Sequence, residues 1–165
     1  MTEFLTQLRM LAHRTRQHHA IEHATLYMLA ARVARGSFTA FSDPQGFTVY
    51  GDVDEATLRR AIGDALLRLQ AGETGLAIHP NCGTGFAVST LMATFAAMIG
   101  FAGARRAADG FPLAALLVLV ALIAAKPLGL KLQEYTTSTQ VGDRWVARIV
   151  PVQTFGLRGR RVIFE

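Results

Sequence analysis

Two short clusters of histidine, glutamate and cysteine are the residues of this sequence best suited to chemistry. The first is His19-Ala20-Ile21-Glu22-His23, a His-x-x-Glu-His pattern that is the inverted form of a zinc-peptidase signature. The second is His79-Pro80-Asn81-Cys82-Gly83-Thr84. Together with His18, these clusters hold four of the five histidines and the single cysteine of the chain. They predict where a metal ion would bind.

His19 and His23 are one helical turn apart, so on a helix their imidazoles can reach the same ion. Two neutral imidazoles are good ligands for Zn²⁺, and Glu22 beside them could bind the metal or take a proton from a metal-activated water. A helix supplies only this pair, and zinc needs a third and usually a fourth ligand. The strong candidates that remain are His79 and Cys82. We therefore predict one zinc site formed by His19, His23 and either or both of His79 and Cys82.

The number of protein ligands separates two functions for such a site. Three ligands and an open position favour catalysis, with Glu22 as the general base in hydrolysis of a peptide or amide near a membrane. All four ligands would complete a closed shell of three nitrogens and one sulfur, which favours a non-enzymatic scaffold or assembly factor. Nitrogen and sulfur ligands also suit other transition metals.

Three further readings stay open. The histidines could form a buried hydrogen-bond network without a metal. Cys82 could be a nucleophile activated by His79, with the following Gly-Thr-Gly supplying backbone donors, although that leaves the first cluster unexplained. Bis-histidine haem ligation lacks a Cys-x-x-Cys-His motif. We expect His13 and His18 to be solvated or to lie outside the ligand shell, since His18 points about 100° away from His19 on a helix.

Two uncharged stretches follow the second cluster. Residues 83–104 form a run of 22 positions without a charge, and residues 110–125 form another of 16, with Lys126 placed to reach an interface. A helix needs about 20 apolar residues to cross a bilayer. The second stretch has no polar face, and a chain of 165 residues is too short to bury such a helix in a core. We predict a transmembrane helical hairpin over residues 83–130.

The formal charge of +5 comes from the part of the chain after the first uncharged stretch. Basic residues after the second stretch, including Lys126 and Lys131, predict a cytoplasmic C-terminal tail under the positive-inside rule. Two spans then place the N-terminus on the same side of a bacterial cytoplasmic membrane, although Arg105 and Arg106 oppose this orientation. The partners expected are the lipid bilayer and a peptide or membrane-protein substrate. There is no nucleic-acid module, no signal peptide is visible, and one cysteine fits a reducing compartment.

The remaining segments predict an α+β membrane protein with N-terminal helices and a small β-sheet. Its regions are an N-terminal α+β metal-site region (1–82), the hairpin (83–130) and a β-rich tail (131–165) that packs on the N-terminal region. The predicted elements are a helix over about 3–35 with a possible break near 13–18, strands at 37–42 and 47–50, a helix opened by Asp52 and ended by Gly72, an extended segment at 74–78, and strands at 145–152 and 161–164.

The order of these motifs resembles the YqhQ-like family of predicted metal-dependent bacterial membrane proteins of unknown function. Its pattern is His-Gly-x-Glu-His, His-Pro-x-Cys-Gly-Thr, apolar spans, then Leu-Gln and Thr-Thr, here Leu132-Gln133 and Thr136-Thr137. The chain is also similar to a smaller related uncharacterised family over about residues 15–140. The resemblance implies a metal site at His19, Glu22, His23, His79 and Cys82. Ala20 and Asn81 depart from the larger family's pattern, which leaves the substrate unassigned.

Overall fold

The computed structural model describes residues 2–34, 36–154 and 156–165. Within these residues, four α-helices and a four-stranded antiparallel sheet confirm the predicted α+β class. The chain divides into two compact units, one of Met1–Ile78 with Thr136–Glu165 and the other of His79–Tyr135. The elements are helices α1 (Thr2–Arg32), α2 (Glu55–Gln70), α3 (Gly83–Phe101) and α4 (Ala107–Thr136), and strands β1 (Thr39–Asp43), β2 (Gly46–Tyr50), β3 (Val146–Thr154) and β4 (Leu157–Phe164).

The core of the first unit is built around the second half of α1. That helix contacts α2 as well as strands β1 and β2. Ile21 and Leu29 of α1, Leu58 and Ile62 of α2 and Phe47 of β2 are fully buried. Each such side chain contributes roughly 1.5–3 kcal/mol when it leaves water. The packing therefore fixes the stretch of α1 that carries the first cluster.

The sheet has the strand order β1-β2-β4-β3, so the C-terminal strands complete a sheet begun by the β1–β2 hairpin. In the hairpin turn, the backbone N–H of Gln45 donates to Asp43 Oδ1 at 2.8 Å. Gly46 ends the turn with a φ of +154°, and a Cβ there would lie 2.0 Å from the carbonyl oxygen of Val162. The predicted hairpin and C-terminal strands are confirmed, and Gly46 is required by the close approach of β4.

Helix α1 runs without the break that the polar residues 13–18 suggested. Tertiary hydrogen bonds engage one polar atom of each buried side chain in this stretch. Gln17 Nε2 donates to Asp143 Oδ1 at 2.8 Å, and His18 Nδ1 lies 2.9 Å from the carbonyl oxygen of Asp43. The helix ends at Arg32, and Arg35, its expected end, lies outside the described residues.

Two local predictions around α2 were wrong. The helix is capped by Asp54, whose side chain accepts the Thr57 N–H at 2.9 Å, and not by Asp52. Val53 is buried, which holds the preceding residues against the core and delays the start of the helix. Thr74–Ala77 forms a 3₁₀ turn instead of an extended segment, because the chain reverses at Gly72 with a φ of +94°.

In the second unit, α3 and α4 pack closely through small residues. A Cβ added to Gly100 would lie 2.3 Å from Ala114 Cα, and one added to Gly129 would lie 2.9 Å from Gly85 Cα. The first contact joins the end of α3 to the start of α4, and the second joins the start of α3 to the later part of α4. The two helices therefore form an antiparallel hairpin. Small residues at such contacts are typical of helix pairs in membranes.

Both helices are long and apolar enough to cross a membrane. Only 11% of the most apolar window of α3 and 17% of that of α4 is buried, whereas a core helix of a soluble protein is mostly buried. Large apolar side chains point outward along both helices, among them Phe86, Phe95, Phe111, Leu116 and Ile123. The hairpin therefore has the length, composition and exposed apolar surface of two spans.

A matched pair of glycine substitutions tests the helix contact. We expect Gly100→Ala to lower the free energy of unfolding of the detergent-solubilised protein by about 1–3 kcal/mol, because the added methyl overlaps Ala114. On the same helix, a Cβ at Gly85 meets nothing within 4 Å, so Gly85→Ala should be neutral or stabilising by up to about 1 kcal/mol. Thermal unfolding followed by circular dichroism measures both. Equal effects of the two variants would contradict the packing.

Candidate metal centre

His19 and His23 lie on one face of α1, with their ring centroids 4.4 Å apart and their planes at 66°. His23 is buried and His19 is half-buried. The apolar residues between and after them, Ala20, Ile21 and Ala24, are fully buried in the core. The predicted proximity of the two imidazoles is therefore present, and it is supported by a packed helix instead of a mobile loop.

A backbone carbonyl contacts the Nδ1 atom of each ring. His23 Nδ1 lies 2.6 Å from the carbonyl oxygen of Ala77, and His19 Nδ1 lies 3.1 Å from that of Thr136. A carbonyl oxygen can only accept a hydrogen bond, so both Nδ1 atoms carry the proton. In each neutral ring the lone pair then resides on Nε2. Metal-binding histidines commonly have this arrangement, since the outer hydrogen bond fixes the tautomer and the ring orientation.

Glu22 lies on the same turn of α1 and is buried. Its Oε2 accepts a hydrogen bond from the hydroxyl of Ser42 on β1. A buried carboxylate is costly unless it is hydrogen-bonded, so Ser42 both stabilises Glu22 and restricts its rotamer. Ser42 was not singled out from the sequence, since a serine in a short strand gives no signal of its own.

Cys82 and His79 belong to the second unit, where they differ in how their donor atoms are used. Cys82 is the N-cap of α3, and its Sγ accepts the Thr84 N–H at 3.3 Å. The positive end of a helix dipole favours negative charge on such a sulfur. His79 Nδ1 accepts the Asn81 N–H at 3.3 Å, so its neutral ring carries the proton on Nε2. The sulfur is thus the better disposed donor of the two.

Gln133 on α4 holds the backbone of His79 through two reciprocal hydrogen bonds. The His79 N–H donates to Gln133 Oε1 at 2.7 Å, and Gln133 Nε2 donates to the His79 carbonyl at 3.0 Å. The Gln133 side chain is buried. Sequence reasoning noted Gln133 only as part of the Leu-Gln pair in a resemblance. Its role is to fix the segment that leads into α3.

The two other histidines of α1 have separate environments. His13 is exposed, as expected. His18 is buried and stacks on Phe164 with ring centroids 5.0 Å apart. Of the two alternatives predicted for it, the solvated one is therefore wrong, and a position outside the ligand shell stays a prediction. Burial lowers the pKa of His18, with Arg144 and Arg161 acting in the same direction, while the hydrogen bond to Asp43 opposes them. Among the described residues, His18 Nε2 has no hydrogen-bond partner. His18 is a neutral residue of the core.

The predicted site residues thus form two groups. His19, Glu22 and His23 share a helix face in the first unit. His79 and Cys82 lie in the second unit, within the four residues that precede α3. Within each group the side chains are held by hydrogen bonds. Binding of one ion by members of both groups stays a prediction from the sequence.

The architecture defines an α+β chain with a histidine pair on one helix and two long apolar helices. Residues 14–149 match the family described as a domain of unknown function (DUF6391), and the chain belongs to that family. It is also 40% identical over 86 residues to an uncharacterised protein of Picosynechococcus sp.. That alignment covers 47% of this chain and 42% of the relative, so the chain spans less than half of the relative's length. No solved structure matches the chain.

The Gln133 bonds can be tested apart from any metal. We expect Gln133→Ala to speed amide hydrogen exchange at His79, because the substitution removes the acceptor of its N–H and leaves its carbonyl without this donor. Glu134→Ala, at the exposed neighbouring position, is the matched control and should leave exchange at His79 unchanged. Mass spectrometry of the peptide that contains His79 gives the measurement. Unaltered protection in Gln133→Ala would refute the role assigned to the amide.

Proposed function

We propose that the protein is a membrane-anchored zinc protein with His19, His23 and Cys82 as ligands, and that it is a metal-dependent hydrolase in which Glu22 is the general base. The observation that carries this proposal is the pair of Nδ1 contacts to the carbonyls of Ala77 and Thr136. They select the tautomer in which Nε2 of each ring can donate to a metal. Two such imidazoles one turn apart suit Zn²⁺ and other transition ions.

Cys82 is proposed as the third ligand on the basis of its donor chemistry and of chain connectivity. Its sulfur lies at a helix N-terminus, where the thiolate that binds zinc is favoured. Cys82 follows Ala77 by five residues, so covalent geometry keeps their Cα atoms within about 18 Å. The carbonyl of Ala77 contacts His23. The motif order of the YqhQ-like proteins also matches this chain at His19, Glu22, His23, His79 and Cys82. This resemblance supports the proposed ligands without naming a substrate.

Three protein ligands leave a coordination position open, and this favours catalysis over a purely structural site. When bound, zinc would polarise a carbonyl group and activate water for attack. Glu22 would remove a proton from the attacking water and pass it to the leaving amine, and Ser42 would keep the carboxylate oriented. The substrate class is a peptide or amide at the membrane surface.

Anchoring rests on α3 and α4, whose exposed apolar surfaces are suited to lipid. The excess of basic residues in the C-terminal part favours a cytoplasmic location for both ends of the chain. With this orientation, the histidine pair would act at the cytoplasmic side of a bacterial membrane.

A second candidate is a zinc-stapled scaffold or assembly factor without enzymatic activity. One observation favours it. The carbonyls that hold His23 and His19 belong to Ala77 and Thr136, which stand at the two places where the chain passes between the units. A closed site that also included His79 would stabilise the chain at both of these places. The count of protein ligands therefore decides between the two candidates.

Metal content tests the site. Protein purified from carbonate-washed membranes should hold about one zinc per chain, and His19→Ala, His23→Ala and Cys82→Ala should each lose most of it, because every ligand is needed for tight binding. His13→Ala removes an exposed histidine of the same helix and should retain full occupancy. Elemental analysis gives the stoichiometry, with circular dichroism to verify folding. Equal metal in His13→Ala and His23→Ala would eliminate the site, and absence of the protein from washed membranes would eliminate the anchoring.

Cobalt substitution counts the ligands. The thiolate-to-cobalt charge-transfer band should disappear in Cys82→Ser, whereas His79→Ala should leave the visible spectrum unchanged if only three protein ligands bind. A changed spectrum in His79→Ala would instead support the closed site of the scaffold.

Glu22→Gln separates chemistry from metal binding. We expect this variant to keep its zinc and to lose turnover of internally quenched fluorescent peptides by roughly 100-fold or more, because the amide cannot accept the proton. Glu55→Gln replaces a half-buried carboxylate of α2 that pairs with Arg59; it is the control and should retain activity. Activity that persists in Glu22→Gln would exclude Glu22 as the base, and absence of activity in the zinc-loaded wild type would favour the scaffold.

A further inference from the structure

The first half of α1 is exposed to solvent throughout its described residues, so burial does not explain why it is a helix. Residues 3–14 are exposed at every position, whereas residues 17–25 of the same helix are buried except at the half-buried His19. Phe4, Leu5, Leu8 and Leu11 are 63, 50, 46 and 42% exposed, respectively. An isolated helix of this length is marginal in water, and one with four large apolar side chains needs a surface to cover them.

These apolar residues form one continuous face. At 100° per residue, Phe4, Leu5, Leu8 and Leu11 fall within an arc of about 120° on the helix. Ala12 and Thr15 fall in the same arc, so no charged residue interrupts it. Met10 lies on the opposite side of the helix. A face of this width, without charge, is typical of a helix that lies in a membrane interface.

The charges around this face identify the occupant. Residues 2–16 contain three arginines, Arg9, Arg14 and Arg16, against the single acid Glu3. Arg9 borders one edge of the arc, and Arg14 lies about 60° beyond the other edge, near Glu3. Arg16 Nη2 instead donates to the carbonyl oxygen of Thr137 at 3.2 Å. Arg9 and Arg14 can extend their guanidinium groups toward phosphates while their stems cover apolar surface. The face is therefore complementary to a negatively charged lipid surface and not to a neutral or basic partner.

We infer that residues 3–16 of α1 lie on the surface of an anionic bilayer, with Phe4, Leu8 and Leu11 inserted among the acyl chains. The insertion is about 5–10 Å deep, as for other interfacial helices. This inference rests on the proposed membrane anchoring and adds a second attachment that depends on lipid charge. A second copy of the chain is a poorer occupant, because four side chains provide less area than the roughly 800 Å² per partner of a stable interface.

Tryptophan reporters in the full-length chain test the inference. Trp145 is exposed and is first replaced by phenylalanine, after which Leu8→Trp is introduced at the centre of the face and Met10→Trp on the opposite side as the matched control. Each protein is reconstituted into nanodiscs containing phosphatidylglycerol, with and without brominated acyl chains. We expect quenching of Leu8→Trp by bromine to exceed that of Met10→Trp by about twofold or more, together with a blue-shifted emission.

Lipid charge provides the second arm. Quenching of Leu8→Trp should fall in nanodiscs of phosphatidylcholine alone, and also when Arg9 and Arg14 are replaced by glutamine in phosphatidylglycerol nanodiscs, because the attraction to the surface is weakened. Arg16 is kept, since it donates to the Thr137 carbonyl. Equal quenching at positions 8 and 10 would overturn the inference. So would shielding of Leu8→Trp from aqueous iodide without bromine quenching, which would instead assign the face to a protein.

A third reporter keeps this outcome separate from the anchoring. Ile123→Trp lies on an outward position of α4 and should be quenched by brominated lipid regardless of headgroup charge. Quenching at position 123 without quenching at position 8 refutes the interfacial helix and leaves the anchoring intact. Absence of quenching at position 123 refutes the anchoring itself.

Discussion

Hydrogen bonds from the buried His23 and the half-buried His19 link α1 to two distant segments of the first unit. His23 and His19 bind the carbonyls of Ala77 and Thr136, two residues that are 59 positions apart in the sequence. Both residues stand where the chain leaves or re-enters this unit. The histidine pair therefore fixes both connections to His79–Tyr135. Substitution of either histidine would release one of these connections and would also remove a candidate metal ligand.

The polar content of α1 indicates that stability alone does not explain its composition. Gln17, His18, Glu22, His23 and Thr25 are all buried, in a helix that packs on both a sheet and a second helix. Hydrogen bonds compensate only part of their desolvation, since Gln17 Oε1 and His18 Nε2 have no partner among the described residues. Well-packed apolar residues of similar volume are often as stable or more stable. A concentration of titratable side chains at the centre of a core helix is characteristic of functional sites. This cost is the physical basis on which a chemical role for α1 is proposed.

Much of the architecture could be predicted from local patterns. Apolar periodicity identified α2, turn residues identified the β1–β2 hairpin, and the absence of charge identified α3 and α4. The spacing of His19 and His23 predicted their proximity because one helical turn fixes it. Gln133 and Ser42 could not be found in this way, since they act on residues 54 and 20 positions distant. Asp54 was missed because two aspartates could cap α2, and burial of Val53 decides between them.

Helix α4 combines an apolar stretch long enough to cross a membrane with a positioning element, and its register connects the two. Its 30 residues extend about 45 Å, more than the roughly 30 Å of a hydrocarbon core. The surplus allows the last turns, beyond Gly129, to lie outside the apolar region. Gly129 touches Gly85 near the start of α3, and Gln133 follows one turn later on the same face. The absence of a side chain at Gly129 lets α4 approach closely enough for the Gln133 amide to reach the backbone of His79. The small residues that pack the hairpin thereby also set the geometry of the segment that carries Cys82.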